Sequence, residues 1–290
     1  MSGDQARSGP AAAAIGRVVA ELSALPGVAG IVLGGSRARG TATAGSDIDL
    51  GLYYLPRERP DFDAVLAVAA KLDDRGEPTG GTYGEWGPWI NGGVWLRVGG
   101  FRTDILLRDA DRVREVLEDC AAGRLEVAYQ PGHPHAFVSS IYAGEVFHNQ
   151  PLHDPAGVLA DLRRLTDPYP EALAAATVRQ FGWEAGFALG TTEGAVGRGD
   201  VEYVAGCAFR AVACLVQVLH AVNRRYLLNE KGGVAAVDRM PVAPPDFAAR
   251  VGAAFAALAP DAAALRNAVD RLSALREETE RLAGDDHGGG

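Results

Sequence analysis

"GGSRARGTATAGSDIDLGLYY", residues 34–54, sets two glycines, a serine and two aspartates between apolar stretches. Its tail, Asp47-Ile48-Asp49-Leu50-Gly51-Leu52-Tyr53-Tyr54, reads as a strand. Side chains on a strand alternate with period two, so Asp47 and Asp49 share one face while Ile48 and Leu50 turn to the core. Two carboxylates about 7 Å apart along one strand face can converge on ions between them. Oxygen ligands suit magnesium, which takes one or two carboxylates plus substrate phosphates. Gly34 and Gly35 let backbone N–H groups approach a triphosphate without a Cβ clash, and the Ser36 hydroxyl adds a donor. Arg37 or Arg39 can offset phosphate charge. The loop is expected to hold a triphosphate and the aspartates its metals.

Upstream, apolar positions recur at helical spacing from Ile15 to Leu25, Pro26 and Gly27 end the pattern, and "VAGIVLGG" follows as a short buried strand. Downstream, "DFDAVLAVAAKLDD" fits a helix, and "PTGGTYGEWGPWINGG" reads as a glycine-rich loop. A hairpin signal comes next: "VWLRV", the turn Gly99-Gly100, then "FRTDILL". Its second strand supplies Asp104, a third carboxylate that would complete a two-metal clamp for in-line displacement at phosphorus. "DADRVREVLEDCAAG" is a helix with an Asp cap and a terminal glycine.

These signals divide the chain into a disordered lead-in over 1–14, a catalytic domain over 15–123 and a connecting region over 124–154. A helical domain follows over 155–284, then a disordered tail over 285–290. Helices are expected over 156–166, 170–190, 200–228, 245–258 and 261–283, the third being apolar nearly all round and central. The fold class is α+β, with a small mixed sheet followed by a C-terminal helical bundle.

Lys plus Arg number 28 against 37 Asp plus Glu, a formal charge of -9 that disfavours general nucleic-acid binding. Cys120, Cys207 and Cys214 lack the close spacing of a zinc knuckle or redox pair and suit a reducing cytoplasm. Cys207 and Cys214 read as small buried hydrophobes. The N-terminus lacks the apolar centre of a signal peptide. "VAGCAFRAVACLVQVLHAV" carries Arg210, Gln217 and His220, which argues against a membrane span. A cytoplasmic protein is expected.

Gly34-Gly35-Ser36, then Gly40, then Ser46-Asp47-Ile48-Asp49-Leu50, with Asp104 on a later strand, resembles the polymerase-beta-like nucleotidyltransferase superfamily over about the first 123 residues. The resemblance implies that Asp47 and Asp49 bind two magnesium ions, and that Asp104 supports a metal and activates the acceptor. It places Gly34, Gly35, Ser36, Arg39 and Ser46 against the nucleotide. With its helical second domain the chain is similar to the antibiotic nucleotidyltransferases, of aminoglycoside and lincosamide type. "YQPGHPHAF" and "NRRYLLNEKGG" resemble stretches of uncharacterised actinobacterial relatives. The implied reaction moves AMP from ATP, or another nucleoside monophosphate from its triphosphate, to a hydroxyl of an aminoglycoside-like antibiotic or metabolite, releasing pyrophosphate. A rival reading is an antitoxin-like or regulatory protein that binds or adenylylates a partner protein. A template-independent RNA polymerase is a third, against which the missing basic tract counts.

Glu85, in "YGEW", is a second candidate base, since "GEW" is similar to a stretch bearing the catalytic glutamate in one aminoglycoside adenylyltransferase group; the alternative is a loop carboxylate. His133 and His135 suggest a metal, yet no neighbouring Cys or carboxylate completes a ligand set at a familiar spacing, so a structural or substrate-facing loop is expected. Trp86, Trp89 and Trp95 could stack on a base or sugar, but are read as buried aromatics of a small mixed sheet. Arg224, Arg225 and Lys231, placed at the end of the central helix, favour its dipole, and Lys231 is a candidate triphosphate contact.

Overall fold

A computed structural model of the protein describes residues 9–287, which form two compact units. Residues 9–118 and Tyr142–Pro168 make the first; Asp119–Ile141 and residues 169–287 make the second. In chain order come α1 (Pro10–Ser23), β1 (Val28–Leu33), α2 (Gly35–Ala38), β2 (Ile48–Tyr54), α3 (Phe62–Leu72), β3 (Thr79–Gly81), α4 (Gly87–Ile90), β4 (Gly93–Val98), β5 (Phe101–Asp109) and α5 (Ala110–Ala121). In the second unit β6 (Val127–Ala128) pairs with β7 (Phe137–Val138). The chain then returns to the first unit with α6 (Ser140–His148), β8 (Gln150–His153) and α7 (Val158–Arg163).

The six-stranded sheet runs β3-β4-β5-β2-β1-β8, and only the β2–β5 pair is parallel. Alternation along the strands decides its faces. Ile31, Leu50, Leu52, Ile105 and Leu107 are buried with Val18 and Leu22 of α1 and Val65 and Ala69 of α3. Each of the buried valine, leucine and isoleucine side chains contributes about 1.5–3 kcal/mol when removed from water. The β4–β5 turn is Gly99-Gly100, with φ of +59° and +86°, the conformation that a two-residue hairpin matched to strand twist requires. Asp61 caps α3 by accepting the Asp63 N–H, and Asp109 Oδ1 accepts from Asp111 and Arg112 at the start of α5.

Three expectations change here. Residues 10–14 are helical, with Pro10 at the first position where its missing N–H costs nothing. The glycine-rich stretch 78–93 is not all loop: it contains β3, an edge strand on β4, and the turn of helix α4. The segment 142–168, expected to connect domains and to open the helical one, packs in the first unit. There β8 pairs with β1, Leu159 closes on Gly30 at a point where a Cβ would come within 2.8 Å, and Glu145 meets Arg108.

The second unit is built on α8 (Glu171–Gly190), α9 (Glu193–Arg198), α10 (Val201–Val222), α11 (Gly233–Val237), α12 (Phe247–Ala256) and α13 (Ala262–His287). By length and composition α10 could cross a membrane, but it is the core helix of this unit, buried throughout from Cys214 to Val222. It stops at Val222 rather than 228. Asn223 Nδ2 donates back to the Leu219 carbonyl, Arg224 takes φ of +52°, and its guanidinium donates to the carbonyls of Ala221 and Val222. Arg224 thus serves the helix terminus as its charge suggests. Residues 285–287 of the expected tail are helical, whereas 1–8 and 288–290 lie outside the described residues.

Candidate active site

The ladder between β2 and β5 pairs Asp49 with Asp104, and Asp47 directly precedes β2. Neighbouring strands lie about 4.8 Å apart, so these carboxylates crowd one another on the face opposite the α1–α3 core. Farther along the same face, Tyr53 and Arg108 are covered by Tyr142 and Glu145 of α6. The aspartate end stays partly open, with Asp49 and Asp104 half-buried and Asp47 41% exposed. Burial and then the Asp47 charge push the Asp49 carboxyl above its ordinary range, while Arg39 and Arg37 pull it back. Asp104 is likewise pushed up by burial, then by Asp49 and Asp47, against Arg102. A cluster of oxygen ligands that repel one another suits a hard divalent cation.

The loop is fitted to Asp49. Gly34 N–H donates to the Asp49 carbonyl at 2.8 Å. Gly35 has φ of +60°, and a Cβ there would collide with Asp49 Oδ2. Gly35 and Ser36 begin the single turn of α2, whose first N–H groups have no intrahelical partner. Arg37 is committed to structure: its guanidinium donates to the carbonyls of Asp47 at 3.0 Å and Ser46 at 2.6 Å. Ser46 Oγ accepts from Thr43 N–H, closing the loop from within. Gly34 and Ser46 therefore act here through the shape of the loop. Arg39 lines a cavity of about 450 Å³ with His148, Gln150 and Arg163. Arg39 and Arg163 make this lining positively charged, and burial, then these two charges, push the His148 pKa down. Arg163 and His148 were not singled out in the sequence, because the return of 142–168 to the sheet has no local signal.

Glu85 is exposed and its Oε2 accepts the Thr82 N–H, capping its own loop. Trp86 and Trp95 stack with centroids 4.4 Å apart, Trp95 remaining 48% exposed, so only Trp89 is a fully buried aromatic of the three. Lys231 belongs to the second unit, where its N–H donates to Asn229 Oδ1. His135, also in that unit, does have a cysteine and a carboxylate beside it: Cys214 and Glu184.

Residues 15–79 match a family described as the nucleotidyltransferase domain, a span that takes in the glycine loop, Asp47 and Asp49. That match lies wholly within the first unit. Residues 133–231 match a domain of unknown function (DUF4037). A crystal structure of a nucleotidyltransferase-like protein from Exiguobacterium sibiricum 255-15 aligns over 95% of this chain and 77% of its own, at 12% identity and a TM-score of 0.46. No curated protein matches the chain. The family that residues 15–79 match generally uses a nucleoside triphosphate and a divalent metal. Asp104 lies beyond the matched span and joins the site through its register with Asp49.

Proposed function

We propose that the protein is a magnesium-dependent adenylyltransferase that moves AMP from ATP to a hydroxyl of a small cationic or sugar-like acceptor, such as an aminoglycoside-like antibiotic or a related metabolite. The observation that carries this reading is the in-register pair Asp49 and Asp104 with Asp47 beside it, under a loop that leaves no room for a Cβ at Gly35. Asp47, Asp49 and Asp104 would hold two magnesium ions. Bound there, the ions would neutralise charge on the entering and leaving oxygens of an in-line displacement.

The protein's own groups do the rest. Gly35 and Ser36 offer N–H groups to the phosphates, and Arg39 with Arg163 supplies positive charge along the neighbouring cavity. Asp104, in register with Asp49 on the neighbouring strand, is placed to take the proton of the acceptor hydroxyl. Glu85 is the second candidate for that role. The acceptor class rests on the acidic chain, whose formal charge is -9, which attracts cations. Three free thiols accord with a cytoplasmic setting.

The test is transfer from α-labelled ATP with magnesium, offered to a panel of hydroxylated antibiotics and metabolites and, separately, to a lysate. Label should reach a small molecule, and Asp49→Asn should lower the rate by about 10²–10³ or more with unchanged circular dichroism. Label on a protein would replace the small-molecule acceptor by a partner. No label from any nucleotide would sink the reading.

A further inference from the structure

His135, Glu184 and Cys214 are separated by 49 and 79 residues from one another in pairs with His135, yet they meet inside the second unit. His135 Nε2 lies 3.3 Å from Glu184 Oε1 and 3.7 Å from Cys214 Sγ, and the three ligand atoms lie within 4.8 Å of one another. We propose that these three side chains form a zinc-class metal site, with water in the fourth position, that fastens the 133–135 loop to α8 and α10.

The distances are those of a coordination shell. Zinc binds His nitrogen at about 2.0–2.1 Å, carboxylate oxygen at about 2.0–2.2 Å and thiolate sulfur at about 2.3 Å. At tetrahedral angles those radii put N and O about 3.3–3.5 Å apart and N and S about 3.5–3.6 Å apart. One carboxylate and one thiolate balance a divalent charge, which offsets part of the cost of burying an ion. That matters here: the His135 side chain is 3% exposed, Glu184 13%, and Cys214 is fully buried. The frame is ordered in advance. Glu230 Oε1 accepts the His135 backbone N–H, while α8 and α10 present Glu184 and Cys214 from two packed helices.

The competing chemistry for these residue types is a nucleophilic cysteine with a histidine base. Such a relay places the thiol on one ring nitrogen and the orienting carboxylate on the other. Here both partners converge on Nε2, as ligands around one ion do. Arg210 Nε lies 2.6 Å from Glu184 Oε1, but the guanidinium is 55% exposed and the carboxylate has a second oxygen to offer it.

The full chain, prepared without a metal-binding tag, should carry one equivalent of zinc by elemental analysis. After chelation, cobalt should restore occupancy with a thiolate-to-cobalt charge-transfer band. Cys214→Ser and His135→Gln should abolish the band and weaken zinc binding by about 100-fold or more, beyond the loss expected for a neighbour of a ligand. Glu184→Gln, which keeps the side-chain shape, carries the test if Cys214→Ser does not fold. Asp49→Asn should keep the zinc, which separates this site from the aspartates of the proposed transferase. The inference is overturned if the wild-type chain takes up no metal, or if the cobalt band survives in the folded ligand variants.

Discussion

Asp49 and Asp104 show what the site asks of single residues. Both carboxyls are pushed above the ordinary 3.8, first by burial and then by charge, that of Asp47 on Asp49 and those of Asp49 and Asp47 on Asp104. In the absence of metal the folded chain therefore holds protons that the unfolded chain releases. The sign follows: the stability these groups contribute is fully present below 3.8 and is lost as pH rises through their raised folded values. Asp49→Asn removes one charge from the cluster at neutral pH. In chelator, the variant should melt above the wild type at about pH 7, and the gap should close toward about pH 4 as the carboxylates take up protons. Magnesium should raise the melting temperature of the wild type and leave Asp49→Asn nearly unmoved. A variant that melts below the wild type throughout that range would mean that repulsion does not govern these aspartates.

The loop and short helix α2 are tied to strand β2, and Gly35 measures how tightly. An alanine there meets two difficulties, a left-handed backbone that costs about 1–2 kcal/mol and a collision with Asp49 Oδ2. Gly40 has φ of +70° but open space where a Cβ would go, so Gly40→Ala incurs the backbone cost alone. Melting should fall in both variants, and further in Gly35→Ala, where the collision adds to the backbone cost. Nucleotide transfer should fall about 100-fold only in Gly35→Ala, because a displacement near 1 Å at the reacting centre costs about that much. Equal transfer by both would detach Gly35 from the aspartates. Elements like these were legible because their signals are local. Period-two alternation exposed β2 and put Ile48 and Leu50 in the core, and Gly99-Gly100 marked the β4–β5 hairpin. The Asp49–Asp104 pairing needed the register of a parallel ladder, which alternation cannot supply. Glu184 and Cys214 stayed hidden from His135 because distant helical positions meet only through packing.

At the scale of the whole molecule, the chain leaves the first unit after Glu118 and returns at Tyr142, and the returning segment is held by polar contacts that sequence periodicity does not register. Strand β8 has only four residues and includes Pro151, so it carries little strand signal of its own. Its neighbour α6 brings Glu145 to Arg108, with bonds of 3.1 and 3.0 Å to one carboxylate, and brings Tyr142 over the same guanidinium. The Arg108 side chain is 3% exposed, whereas Glu145 is 33% exposed. Removing the carboxylate leaves a buried cation uncompensated, a loss of about 3 kcal/mol or more against a total stability of about 5–15 kcal/mol. Glu145→Ala should therefore lower the urea midpoint sharply, and a double variant, Arg108→Met with Glu145→Leu, should recover most of the loss because neither charge then needs a partner. Returning residues that are held mainly by apolar packing of Leu159 and Leu162 would respond differently: Glu145→Ala would cost less than about 1 kcal/mol, the range of an exposed pair, and the double variant would gain nothing over it.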